Sequence, residues 1–125
     1  MNTKFLMTTS AIILGAIGII LTFIPQEVSR YLNLTESTPI LFQILGALYF
    51  GFAVMNWMAK TVLIGGIFAR PLTMGNFAHF MIATIALIKG AMNNSISHYY
   101  WILAILYLIF AVLFGIVVFT NPTKK

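Results

Sequence analysis

The chain has 125 residues, of which 61% are hydrophobic and only 7% charged. Average soluble domains are about half apolar and about a quarter charged, so a protein this small carries more apolar surface than it can hide from water, and a bilayer must be its solvent. Seven basic residues against two acidic ones give a net charge of +5, but Lys4, Arg30, Lys60, Arg70, Lys89, Lys124 and Lys125 stand singly or at the chain ends between apolar runs. That is how membrane proteins mark their loops, and it excludes a nucleic-acid surface. There is no cysteine, which excludes a disulfide, a thiol nucleophile and a thiolate metal site.

A spanning helix needs about 20 predominantly apolar residues, and four stretches qualify: roughly 4–24, 39–59, 71–89 and 98–120. The first opens like a signal peptide, with one early lysine before an apolar run, but the run is too long and lacks a small-residue cleavage pattern. It reads as a retained span. Pro25 stops it. In the following PQEVSRYLNLTES, Val28, Tyr31 and Leu32 share one face of a short amphipathic helix, which predicts a segment lying along the interface. Thr38-Pro39 caps and opens the second span. The link TVLIGGIFA, residues 61–69, is apolar yet broken by Gly65-Gly66 and bracketed by Lys60 and Arg70. It reads as a broken segment at the surface, the competing reading being a third helix that begins earlier. Pro71 opens the third span, Ser97 caps the fourth, and Asn121-Pro122 ends it. The expectation is one transmembrane domain over residues 1–125, an all-α integral membrane four-helix bundle.

Four spans place both termini on one side, together with Lys4, Lys60, Arg70, Lys124 and Lys125. Arg30 and Lys89 fall opposite, with Glu27 and Glu36. The bias predicts cytoplasmic termini.

The third span, PLTMGNFAHFMIATIALIKG, contains an amide and an imidazole where lipid should be. Advanced at about 100° per residue, it puts Met74, Phe77, Met81, Ile85 and Ile88 on an apolar face suited to lipid. Thr73, Asn76, His79, Ala83, Thr84 and Gly90 gather on the other. The first span carries a stripe of Thr8, Ala11, Gly15, Gly18 and Thr22, the second Gly46, Tyr49, Ala53 and Asn56, and the fourth Ala104, Ala111 and Gly115. Such stripes let helix backbones approach closely. Each helix thus has one face for packing and one for lipid.

The same geometry nominates an intramembrane polar cluster of Tyr49, Asn56, Asn76 and His79. At ~1.5 Å per residue, His79 lies about 12 Å in from Pro71 and Tyr49 about 15 Å in from Ala59, while Asn76 and Asn56 lie about 7 and 4 Å in. Tyr49 with His79, and Asn56 with Asn76, are the expected pairs. An ionisable residue inside a membrane is a functional hypothesis by default, so His79 suggests a proton relay or ligand donor; as a neutral ring it is equally a hydrogen-bonding packing residue. Asn56, Asn76, Gln43 and Tyr49 likewise either line a small cavity or act as packing glue. His98-Tyr99-Tyr100-Trp101, with Trp57 and Tyr31, suits a sterol or quinone ring but also the aromatic belt at a membrane interface. Lys89 snorkels outward. Lys124-Lys125 is either the ordinary topology signal or a contact for anionic lipid. Asn33-Leu34-Thr35 and Asn93-Asn94-Ser95 match a glycosylation pattern too short to carry weight. His98 falls at the opposite surface from His79, so the sequence nominates no metal ligand set, no cofactor and no catalytic residue.

The stretches ILGALYFGFAVMNWMAK and LIGGIFARPLTMGNFAHF resemble small four-helix membrane proteins of bacteria and, more loosely, the DoxX-like group. Gly46, Tyr49, Asn56, Gly65, Gly66, Arg70, Pro71 and Asn76 fit the pattern. The resemblance implies a bacterial inner-membrane bundle and packing importance for those residues, with no catalytic motif. Small multidrug exporters, which rely on a first-span glutamate, fit worse. So do fluoride channels, with their third-span motif, and four-helix thiol oxidoreductases. The leading expectation is a non-enzymatic membrane protein that acts by helix contacts with itself or other membrane proteins. An oligomeric carrier or channel using Asn56, Asn76 and His79 is the first alternative, and a lipid- or quinone-linked enzyme or accessory subunit the second.

Overall fold

A computed structural model describes residues 3–31, 39–61, 69–93 and 98–120. The described residues form five α-helices and no strand: α1 (Thr3–Phe23), α2 (Pro25–Tyr31), α3 (Pro39–Met58), α4 (Arg70–Asn93) and α5 (Tyr99–Phe119). The all-α class is as expected. Helices α1, α3, α4 and α5 are each long and apolar enough to cross a membrane, since 20 residues at ~1.5 Å each span about 30 Å of hydrocarbon. The chain is a multi-pass membrane protein. Its described residues fall into two compact units, one up to Thr61 and the other from residue 69 onward.

In the first unit α1 and α3 pack antiparallel. Ser10 meets Asn56, Gly15 meets Ala53, and Gly18 meets Gly46 and Phe50. A Cβ added at Gly18 would come within 2.8 Å of the Gly46 carbonyl oxygen and 2.9 Å of the Phe50 nitrogen. Both positions therefore need glycine, because two backbones touch there. In lipid, where burial from water supplies no drive, this close approach is what holds helices together. Thr22 completes the contact: its hydroxyl donates to the Gly18 carbonyl at 2.8 Å and lies against Gly46.

The break between α1 and α2 follows from Pro25. The amides of Ile24 and Val28 still reach the carbonyls of Ile20 and Ile24, but proline has no N–H to offer Leu21. The helix is interrupted at Ile24 and resumes as the seven-residue α2, on which Glu27 and Arg30 form an exposed ion pair at 3.6 Å. A short helix after the first span is thus present.

In the second unit α4 and α5 also pack antiparallel. Gly90 faces the ring of Tyr100, and Gly115 at the other end faces Phe77. Between them runs an aromatic column. Phe80, fully buried, stacks on Phe110 and Phe114 at 5.0 and 5.6 Å and meets Tyr107 edge-on at 4.9 Å. Quadrupole interactions favour these offset and edge-to-face arrangements over eclipsed stacking. Ala104 and Ala111, also buried, give the rings room.

Several boundaries differ from the expectation. The third span runs Arg70–Asn93 in place of 71–89, and Gly90 is an interior helical residue seated against Tyr100. Arg70, not Pro71, is its first helical residue. The N-cap of α5 is His98 and not Ser97, and its side chain makes no capping bond. Phe77, expected to face lipid, is half-buried against Gly115 and packs edge-on to Phe119 at 5.7 Å. The broken segment with Gly65-Gly66, the cap at Thr38, both glycosylation patterns and Lys124-Lys125 lie wholly or mainly outside the described residues.

Candidate functional site

Five polar side chains inside the spans, Ser10, Asn56, Thr73, Asn76 and Thr84, sit on the buried faces of their helices. In α4 the buried positions Thr73, Asn76, Phe80, Thr84 and Ala91 recur at intervals of three, four or seven residues, so they form one stripe along a 3.6-residue helix. Met74, Met81, Ile82 and Ile85 on the other side are exposed. Thr73 and Thr84 turn their hydroxyls to the carbonyls of Ala69 and Phe80, four residues back, at 3.0 and 2.6 Å. Asn76 does the same with Leu72 at 3.0 Å through its amide nitrogen. An unsatisfied polar group in hydrocarbon costs several kcal/mol, and back-bonding to the helix meets that demand locally.

Asn56 solves the same problem across helices. Its amide donates to the Ser10 hydroxyl at 3.0 Å, and Ser10 donates in turn to the Met7 carbonyl at 3.0 Å. Asn56, Ser10 and Met7 are all fully buried, so the relay is sealed from lipid. Ala53 and Gly46 share the buried face of α3 with Asn56, and Tyr49, half-buried, lies two turns before it.

His79 is one residue before the centre of the aromatic column. Its ring is edge-on to Phe80 at 5.0 Å and tilted over Tyr107 at 5.6 Å, and Tyr107 is itself 2% exposed. The imidazole is therefore packed among rings inside the α4/α5 pair.

The four nominated residues divide evenly: Tyr49 and Asn56 belong to the first unit, Asn76 and His79 to the second. Each is described within its own helix pair. Gln43, also nominated, is exposed and reaches the Thr22 carbonyl at 3.5 Å. Among the described residues, no three His, Cys, Asp or Glu side chains converge in a metal-holding group.

Sequence reasoning missed Ser10, Phe80, Tyr107, Phe110 and Phe114. In each case a signal was there. Ser10 falls between Met7 and Leu14 on the buried side of α1, one position from the small-residue stripe. Tyr107, Phe110, Phe114 and Val117 repeat at helical spacing with Ala104 and Ala111, but aromatic side chains in a span look like lipid-facing ones until the facing helix is known.

Trp57, Tyr99 and Trp101 are each close to half-exposed, near the ends of α3 and α5. Lys60, just beyond α3, places its ammonium 3.2 Å from the centroid of the Trp57 ring.

Comparison with protein-family models, with curated proteins and with solved structures gives no match for this chain.

Proposed function

We propose that this is a non-enzymatic protein of the bacterial inner membrane, with both termini in the cytoplasm, that acts by helix–helix contact with itself or with other membrane proteins. One observation carries the reading: the buried polar side chains within the spans are engaged within their own helix or helix pair. Asn56 bonds Ser10, while Thr73, Asn76 and Thr84 bond their own helix, and His79 is packed among Phe80 and Tyr107. What the molecule presents outward is apolar. Helix α3 buries only Gly46, Ala53 and Asn56, leaving Leu41, Ile44, Leu48 and Met55 exposed to lipid or to another helix. The excess of cations on the side of Lys4, Lys60 and Arg70 supports the orientation, and the loose DoxX-like pattern of Gly46, Tyr49, Asn56 and Asn76 supports the bacterial membrane.

Native mass spectrometry of the protein released from nanodiscs tests this reading. The expected result is a multiple of the 13.9 kDa subunit or a co-purifying membrane protein. A monomer that retains a quinone or another small molecule contradicts it and favours an accessory or enzymatic role. His79→Ala and Asn76→Ala supply the second arm. Lowered stability without altered solute flux in proteoliposomes is expected, and altered flux at unchanged stability would favour a carrier.

A further inference from the structure

The α1/α3 pair is electrically lopsided. Lys4 at the start of α1 and Lys60 just past the end of α3 share one end of this antiparallel pair, and the chain has no carboxylate near either in sequence. Its two acidic residues, Glu27 and Glu36, follow α1, and Glu27 is already paired with Arg30 at 3.6 Å. Among the described residues Lys60 therefore has no side-chain counter-ion. It is nevertheless held in place, because its ammonium rests 3.2 Å from the centroid of the Trp57 ring. The ring attracts the cation through its quadrupole and covers one side of it. The lysine stem is drawn back along α3 toward the level at which tryptophan settles in a bilayer, which is that of the lipid headgroups. The N–H bonds turned away from the ring remain available to an acceptor.

We infer that Trp57 and Lys60 form a contact site for the phosphodiester of an anionic phospholipid. Trp57 fixes the depth and position of the charge, Lys60 donates to the phosphate oxygens, and Lys4 adds to the field at the same end. A lysine that only marks topology needs no fixed position, whereas here an aromatic ring three residues earlier supplies one. Each lysine near an anionic membrane surface contributes about 1 kcal/mol of attraction, or about a fivefold preference.

The protein in nanodiscs of equal phosphatidylglycerol and phosphatidylcholine, released for native mass spectrometry, is expected to retain phosphatidylglycerol in excess over phosphatidylcholine. Lys60→Gln should lower that excess about three- to fivefold. Trp57→Leu, which leaves the net charge unchanged, should lower it by about half or more, while Trp57→Phe, which keeps an aromatic face for the cation, should preserve most of it. Lys89→Gln, an equal loss of charge at an exposed lysine of α4, should lower it by clearly less than Lys60→Gln. Both Trp57 and Lys60 are solvent- or lipid-accessible, and an unchanged unfolding midpoint for each variant confirms that the fold persists. Four results overturn the assignment: no lipid preference in the wild type, a wild-type preference in Trp57→Leu, a loss in Lys89→Gln equal to that in Lys60→Gln, or displacement of the lipid by inorganic phosphate alone.

Discussion

Alanine substitutions at Gly18 and at Gly51 should have opposite effects, although both are interior helical glycines in transmembrane segments. At Gly18 the new methyl group would sit 2.8 Å from the Gly46 carbonyl oxygen, 2.9 Å from the Phe50 nitrogen and 3.1 Å from the Phe50 Cβ. The first contact falls about 0.6 Å short of ordinary van der Waals distance, and the atoms it meets are backbone, which cannot turn aside. The helices must separate by that amount along the contact, releasing the Thr22 side chain from Gly46 as well. Overpacking of this kind costs about 1–3 kcal/mol, only partly offset by the gain of about 1 kcal/mol that alanine brings to a helix interior over glycine. At Gly51 a methyl group meets no atom within 4 Å beyond its own helix backbone, so only the gain remains. The two variants should differ by about 2 kcal/mol. Reversible unfolding in mixed detergent and dodecyl sulfate micelles measures it, with Gly46→Ala as a second case, since its methyl would come within 2.7 Å of the Gly18 carbonyl oxygen. If Gly18→Ala and Gly46→Ala prove as stable as Gly51→Ala, the close contact of α1 and α3 is wrong.

Register is testable by cross-linking, because the chain has no cysteine of its own. A Cβ built at Gly15 lies 3.5 Å from that of Ala53, within the disulfide range of about 3.5–4.5 Å, so Gly15→Cys with Ala53→Cys should oxidise readily and lose maleimide labelling. Ala16→Cys with Val54→Cys, both exposed, should remain reactive. A double-mutant cycle of Ser10→Ala and Asn56→Ala should give a coupling of about 0.6 kcal/mol, the average for interhelical hydrogen bonds in membranes; coupling indistinguishable from zero would contradict the relay. Phe80→Ala should destabilise the protein by about 2 kcal/mol, the cavity part of a large-to-small change, since the transfer part largely vanishes in lipid. Ile82→Ala, at a position 67% exposed, should stay within about 0.5 kcal/mol of wild type.

Four spans, the helix after Pro25 and the inward face of α4 were legible because each rests on a local rule. Apolar length marks a span, proline lacks a donor, and a polar stripe in lipid must turn inward. The small residues Gly18, Gly46, Ala53 and Ala111 could be placed on packing faces for the same reason. Which residue meets which was less accessible. Within its own helix pair Asn56 bonds Ser10 of α1, and Asn76 bonds the Leu72 carbonyl within its own turn, contacts that the sequence did not single out. A backbone carbonyl four residues back is always available to a short polar side chain, so long-range partners proposed from depth alone compete with a local one. The column through Phe80, Tyr107, Phe110 and Phe114 was hidden by chemistry. In a soluble protein a buried aromatic stripe stands out against polar surroundings, whereas in a membrane span both faces are apolar and only volume against volume distinguishes them. The end of α4 at Asn93 was missed likewise, because the ring that fills the space beside Gly90 belongs to Tyr100 on the next helix.

The central claim, that the polar residues of the spans face neighbouring helices and serve packing, is most directly tested by oxygen accessibility of single spin labels moved along α4 from position 72 to 86 in a bilayer. The expected profile repeats every 3.6 residues, with low accessibility at 73, 76, 80 and 84 and high accessibility at 74, 78, 82 and 85. High accessibility at 76 and 80, or a profile without that period, would contradict it.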